Sequence, residues 1–225
     1  KIPANNNLLL GEKVFIEPLM EQDPSFYEAY AKDPVRAPKI VKKGNQLFLI
    51  NNSQKKEFIE LVSPNQGKSN AVTHLPEAFS KLKSLKWFNA RGNPITDLSP
   101  LSAMTSLTHI HLSDCKVQDL KPLSNLHELT SLHLGGSEIR GLSPLTALTK
   151  LESLILWENQ IVDITPLSNL QNLRVLDLAG NKISDISALA TLPALADLTI
   201  GFNQIRDLSP LSGLQSLFWL ELNHN

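Results

Sequence analysis

The chain has 225 residues, with 21 Lys and Arg against 22 Asp and Glu, and a formal net charge of −1. That balance argues against a generic polyanion binder, and no apolar run approaches the roughly 18–20 residues that span a bilayer. The single cysteine, Cys115, excludes an intrachain disulfide.

Residues 1–69 carry no internal repeat and read as an N-terminal cap, a small α+β or helical unit. Val14-Phe15-Ile16 predicts a short strand, and Asp23-Pro24 followed by Phe26, Tyr27 and Tyr30 predicts a capped short helix. Pro34 and Pro38 end that helix and force extended chain. Leu47 to Ile50 predicts a strand, bounded by Asn51-Asn52. Phe58, Leu61 and Val62 fit one face of a short helix. A Pro/Asn/Gly/Ser cluster between Ser63 and Ser69 marks a loop or linker.

Residues 70–225 follow a ruler. After a lead-in half-repeat over 70–84, repeats start at Leu85, Leu107, Leu129, Leu151, Leu173, Leu195 and Leu217, spaced 22 residues apart. Three residues beyond each stands Phe88, Ile110, Leu132, Leu154, Leu176, Leu198 or Leu220, and two further Ala90, Leu112, Leu134, Leu156, Leu178, Ile200 or Leu222. Asn93, Cys115, Ser137, Asn159, Asn181, Asn203 and Asn225 close the row. A fixed period with this leucine and asparagine spacing is the mark of a leucine-rich repeat. The fold class is therefore an α/β solenoid: one short strand per repeat, paired into a parallel sheet on the concave face, with short 3₁₀ or helical turns on the convex side.

The asparagine stands where the chain leaves the strand, and its amide can both donate to and accept from backbone groups buried there. Cys115 and Ser137 keep part of that capacity, so packing is expected to be weaker in their repeats. In the return arms, Ser99-Pro100, Ser143-Pro144, Ser209-Pro210, Thr165-Pro166 and Lys121-Pro122 predict one short turn each, with Ser or Thr as N-cap and Pro at the first turn position. Ala188 breaks the proline series, and Gly141 replaces the aspartate of the other arms.

The arms Asn93 to Leu101, Asn159 to Leu167 and Asn203 to Leu211, of the form Asn-x-Ile-x-Asp-Leu-x-Pro-Leu, resemble the internalin family of bacterial leucine-rich repeat proteins. The 22-residue repeats of the phosphatase-regulator class are similar more distantly. The resemblance covers about residues 82–225. It implies a secreted or surface-attached bacterial protein that binds a host or cell-surface protein on the concave face, and it names no partner.

Recognition is then expected at the positions that alternate with the leucines. The candidates are Trp87, Asn89, Arg91, His109, His111, His133, Ile155, Trp157, Glu158, Asp177, Asp197, Phe202, Trp219 and Glu221. All three tryptophans of the chain fall in this set, and Trp is the residue type most enriched at binding hot spots. Asp114, Glu158, Asp177, Asp197 and Glu221 outnumber Arg91, the wrong sign for a nucleic-acid backbone and the right one for a basic or mixed protein patch. His109, His111 and His133 read as polar contact residues. A zinc site with Asp114 lacks any ligand-spacing motif, and a pH-sensitive interface is a middle reading.

No phosphate loop, GxSxG motif or exposed thiol is visible, and Cys115 occupies a ladder position. The expected function is a non-catalytic protein-recognition module without metal or cofactor. The alternatives are an intracellular regulatory scaffold of the phosphatase-regulator type and a glycan binder using the tryptophans. The seventh strand lacks a following return arm, so Asn225 is expected not to be the natural end. Further repeats, a cap or a second copy of the chain would cover that edge.

Overall fold

The computed structural model describes residues 39–43, 46–50, 58–62, 72–75, 79–80 and 82–225. Ten strands form one sheet in chain order. β1 (Lys39–Lys43), β2 (Gln46–Ile50) and β3 (Phe58–Val62) make an antiparallel meander. β3 then pairs in parallel with β4 (Trp87–Asn89). From β4 onward each strand has three residues and pairs in parallel with the next: β5 (His109–His111), β6 (Ser131–His133), β7 (Ser153–Ile155), β8 (Val175–Asp177), β9 (Asp197–Thr199) and β10 (Trp219–Glu221). The register never slips, so Phe88, Ile110, Leu132, Leu154, Leu176, Leu198 and Leu220 stand side by side.

The strand expected at Leu47–Ile50 is β2. Phe58–Val62, expected as a helical turn, is strand β3. Five mostly apolar residues satisfy helical spacing as readily as a buried strand. Here strands on both sides supply backbone partners that a single helical turn cannot supply for itself. The described part of the segment before residue 70 is thus β-structure. The strand expected at Val14–Ile16 and the helix expected from Asp23 to Tyr30 lie outside the described residues.

The return arms form the 3₁₀ turns Ser99–Leu101, Lys121–Leu123, Ser143–Leu145, Thr165–Leu167, Ser187–Thr191 and Ser209–Leu211. Their capping differs from the expectation. Ser99 and its equivalents are the first residues of the turns, and the residues at the cap position, such as Leu98, make no side-chain cap bond. The aspartate two residues earlier does the work: the Ser99 amide donates to Asp97 Oδ1 at 2.8 Å. Asp119, Asp163, Asp185 and Asp207 accept from Lys121, Thr165, Ser187 and Ser209 in the same way. A carboxylate that accepts from the amide two residues on closes a local turn. These amide bonds, followed by the serine hydroxyls, hold Asp97, Asp185 and Asp207 below the usual carboxylate range, and at Asp163 the Thr165 hydroxyl and then its amide do the same. Where Ala188 replaces proline, the turn runs on to five residues, Ser187–Thr191.

The leucines that start the first six repeats are fully buried, as are the strand centres from Ile110 to Leu198. Each such side chain contributes on the order of 1.5–3 kcal/mol relative to exposure. Val72, Leu75 and Phe79 of the lead-in stretch join the same core, and the Phe79 ring meets Phe88 edge-on with centroids 6.0 Å apart.

The asparagine ladder ties the repeats along the sheet. Asn181 Nδ2 donates to Leu178 O at 2.9 Å in its own repeat and to Leu156 O at 3.0 Å in the preceding one. Its Oδ1 accepts from Ile161 N at 3.0 Å. Asn159 and Asn203 repeat this pattern, and Asn93 receives the amide of Val72. At the substituted rungs the Cys115 thiol reaches Ala90 O at 3.4 Å, and the Ser137 hydroxyl donates to Cys115 O at 3.3 Å. Asn181→Ala leaves buried backbone groups unpaired and is expected to destabilise the chain by about 1–3 kcal/mol in denaturant unfolding. An unchanged unfolding midpoint would contradict this role for the ladder.

Candidate functional site

A buried residue at the centre of each three-residue strand sends both neighbours to the opposite face of the sheet. Burial follows that alternation in β4 to β9. Trp87 and Asn89 on β4, His109 and His111 on β5, His133 on β6, Ile155 on β7, Asp177 on β8, Asp197 on β9, and Trp219 and Glu221 on β10 therefore share the concave face. Arg91 and Trp157 continue it two residues past their strands.

Glu158 and Phe202 stand differently from the others. They lie one residue further on, in the left-handed backbone region with φ of 49° and 55°, as do Asp114 and His224. The same rung position holds Gly92, Gly136 and Gly180, also at positive φ. The solenoid demands a left-handed residue there, and this chain fills four of seven such positions with side chains. A bulky residue in that region is unusual and strained by about 1–2 kcal/mol. Phe202 is 55% exposed and stacks on His224, centroids 4.5 Å apart. The glycines recurring at this phase were the sequence signal for that requirement.

The histidines do not converge. His109 stacks on Trp87 at 3.8 Å and 11°, and its Nδ1 lies 2.9 Å from Thr108 Oγ1. His111 and His133 meet edge to face at 5.0 Å, and His133 Nε2 lies 3.3 Å from Ser131 Oγ. Among the described residues no three His, Cys, Asp or Glu side chains are placed to hold a metal ion. Burial and the neighbouring His133 push His109 down to about 4. Burial, His133 and Arg91 do the same to His111, also to about 4. Burial and then Arg91 lower His133. The second and third rungs therefore offer neutral imidazoles at neutral pH.

Rungs four to seven are acidic. Burial raises Asp177 above the ordinary carboxylate range, and the charges of Glu221 and Asp197 raise it further, against the Ala179 amide that donates to Asp177 Oδ1 at 3.0 Å. On the first two rungs Arg91 Nε pairs with Asp114 Oδ2 at 3.1 Å, a half-exposed bridge of about 0–1 kcal/mol. Cys115 is buried, and burial pushes its thiol up to about 12, so it carries no thiolate nucleophile at neutral pH.

Trp157 has a bed that the sequence reading missed. A Cβ on Gly135 would overlap the indole, and one on Gly136 would come within 3.1 Å of Trp157 Cη2 and Cζ3 and 2.7 Å of Asp114 Oδ1. Two successive glycines let the ring lie down on the backbone of the preceding repeat.

A family model for leucine-rich repeats matches residues 83–125 and 171–213. Among solved structures, internalin C2 from Listeria monocytogenes is 33% identical, with a TM-score of 0.63, over 74% of this chain and 80% of that one. The chain belongs to the internalin family. A second internalin of the same bacterium, InlF, is 31% identical with a TM-score of 0.52, and the match covers 74% of this chain and 60% of that one. The plant peptide hormone receptor RGFR1, solved in complex with RGF2, is 26% identical with a TM-score of 0.61, over 68% of this chain and 26% of the receptor. No curated protein sequence matches the chain. Among the described residues no helix is long and apolar enough to cross a membrane.

This internalin-family chain keeps His109 and His111 neutral where an unfolded chain protonates them. The unfolded state therefore binds more protons between about pH 4 and 6.5, and stability falls as pH drops through that window and is fully present above it. Discounted for their partial exposure, the two groups amount to about 1–2 kcal/mol. Replacing both with Gln is expected to flatten the dependence of urea unfolding on pH between 6.5 and 4.5; an unaltered slope would contradict it.

Proposed function

We propose that the chain is a non-catalytic protein-recognition module that binds its partner on the concave face of the repeat sheet. Residues 70–225 are the recognition unit and residues 1–69 its cap. The observation that carries this reading is the placement of large aromatic side chains where the core has no use for them. Trp87, Trp157 and Trp219 all stand on the one face that the leucine ladder leaves free. Flat, rigid aromatics give large contact area at small entropy cost, which suits protein recognition. The carboxylates at Glu158, Asp177, Asp197 and Glu221 favour a partner with a basic or mixed patch over a nucleic-acid backbone.

By its family the protein is taken to act at a bacterial surface or after secretion, against a host or cell-surface protein. Capture of a partner by the intact chain from solubilised host membranes, followed by alanine variants, tests the assignment. Trp157→Ala and Trp219→Ala are each expected to weaken that binding by about 2 kcal/mol or more while the unfolding midpoint is retained. Native affinity in both single variants would place the interface elsewhere.

A further inference from the structure

Trp157 is held in a way that the other two tryptophans are not. The indole atoms that a Cβ on Gly135 would meet are Cε2, Nε1 and Cδ2, which include both carbons of the ring fusion. Those carbons are interior to the ring system, so the contact is made across its face. At the same time Cη2 and Cζ3 lie over Gly136. The indole thus spreads over two residues of bare backbone with one face covered, and it turns the other outward. An ordinary residue at Gly135 would force the ring upright. Gly136 is at φ 66°, so its glycine also serves the left-handed turn, whereas Gly135 has no such need. Close approach of the indole is what the absent Cβ of Gly135 permits.

Toward the preceding repeats the ring meets a paired charge, and toward the following ones only carboxylates. Asp114 Oδ1 lies over Gly136 beside the six-membered ring, while its other oxygen holds Arg91. Glu158 follows Trp157 directly, and its Cγ rests 3.3 Å from where a Cβ on Gly180 would stand. Asp177 stands on the next strand, crowded by Glu221 and Asp197. From Ser153 onward the concave positions carry no Lys or Arg. Glu158 and Asp177 have no ion-pair partner among the described residues. An aromatic face is attracted to cations by its quadrupole, and Trp is the strongest of the three rings. The planar guanidinium stacks flat on such a face while its edge pairs with a carboxylate in two parallel bonds, which an ammonium cannot do.

We propose that the outer face of Trp157 is a cation–π seat for an arginine side chain of the protein partner, with Gly135 as the residue that positions the indole and the carboxylates of the following rungs as the charge that draws the guanidinium to this end of the face. This rests on the concave-face reading and narrows the partner to one that presents an exposed arginine at its contact surface. It also gives the crowded carboxylates of rungs five to seven a consistent use, since a bound cation relieves their mutual repulsion.

The test uses the whole chain and two peptides, hexa-arginine and its neutral isostere hexa-citrulline. In a background with Trp87→Phe and Trp219→Phe, all remaining indole emission is that of Trp157. Hexa-arginine is expected to change this emission saturably, and hexa-citrulline to bind about tenfold more weakly. In calorimetry on the otherwise native chain, Trp157→Leu is expected to weaken hexa-arginine binding about tenfold, and Trp157→Phe by a smaller factor, following the order of ring quadrupoles rather than of hydrophobicity. Gly135→Ala, which keeps the indole but lifts it, is expected to weaken binding about as much as Trp157→Leu. Should Gly135→Ala fail to fold, the Trp157 pair alone still decides. Equal binding of the two peptides, no binding of either, or native affinity in Trp157→Leu each overturns the arginine seat. The wider assignment fails separately, if Trp219→Ala and Trp157→Ala both leave capture of the protein partner unchanged.

Discussion

The ladder asparagine is the constraint on which the rest of the structure depends. Asn181 joins its own repeat to the preceding one through three bonds of 2.9–3.0 Å, and Asn159 and Asn203 do the same one rung to either side. The side chain pairs backbone groups that turn away from the sheet into an apolar interior, where an unpaired amide or carbonyl costs about 1–3 kcal/mol. Each strand can then be only three residues long, because the chain leaves the sheet at once and its backbone remains paired. That shortness is why the solenoid spends so little sequence on architecture.

What architecture does not use becomes available for recognition. In each repeat the leucines, the asparagine and the return arm are committed, while the residues flanking the strand centre answer to no core requirement. This chain spends those positions unevenly. The first three rungs hold imidazoles kept neutral by burial and by one another, together with an Arg91–Asp114 pair that cancels its own charge. The later rungs hold carboxylates, among them Asp177, which burial and then the charges of Glu221 and Asp197 raise above the usual range. The face is therefore polar but nearly uncharged at one end and negative at the other, a gradient of the kind that governs orientation and encounter more than affinity.

The convex side follows the same economy. Asp97, Asp119, Asp163, Asp185 and Asp207 each close a local turn by accepting the amide two residues on. Their carboxylates remain at the surface, so the charge is solvated while the geometry is held. Gly141 omits this device in the third arm, yet the turn Ser143–Leu145 still forms. Packing of Leu142 and Leu145 into the core is sufficient there.

The repeat period, strand register, core and concave row were all legible in the sequence, because a solenoid brings together only residues one period apart. A fixed spacing of 22 is itself a map of neighbours. The segment before residue 70 has no such map, and Phe58–Val62 read as a helix until the strands on either side supplied its partners. The role of the arm aspartates was likewise hidden, since Asp, Ser and Thr are all competent to close a turn and only the backbone geometry chooses among them. What the tertiary structure alone decided is how a recognised residue is held. The sequence marks Trp157 as a candidate, but that its indole lies flat depends on Gly135 and Gly136 one repeat away, and no spacing rule records which way a side chain leans.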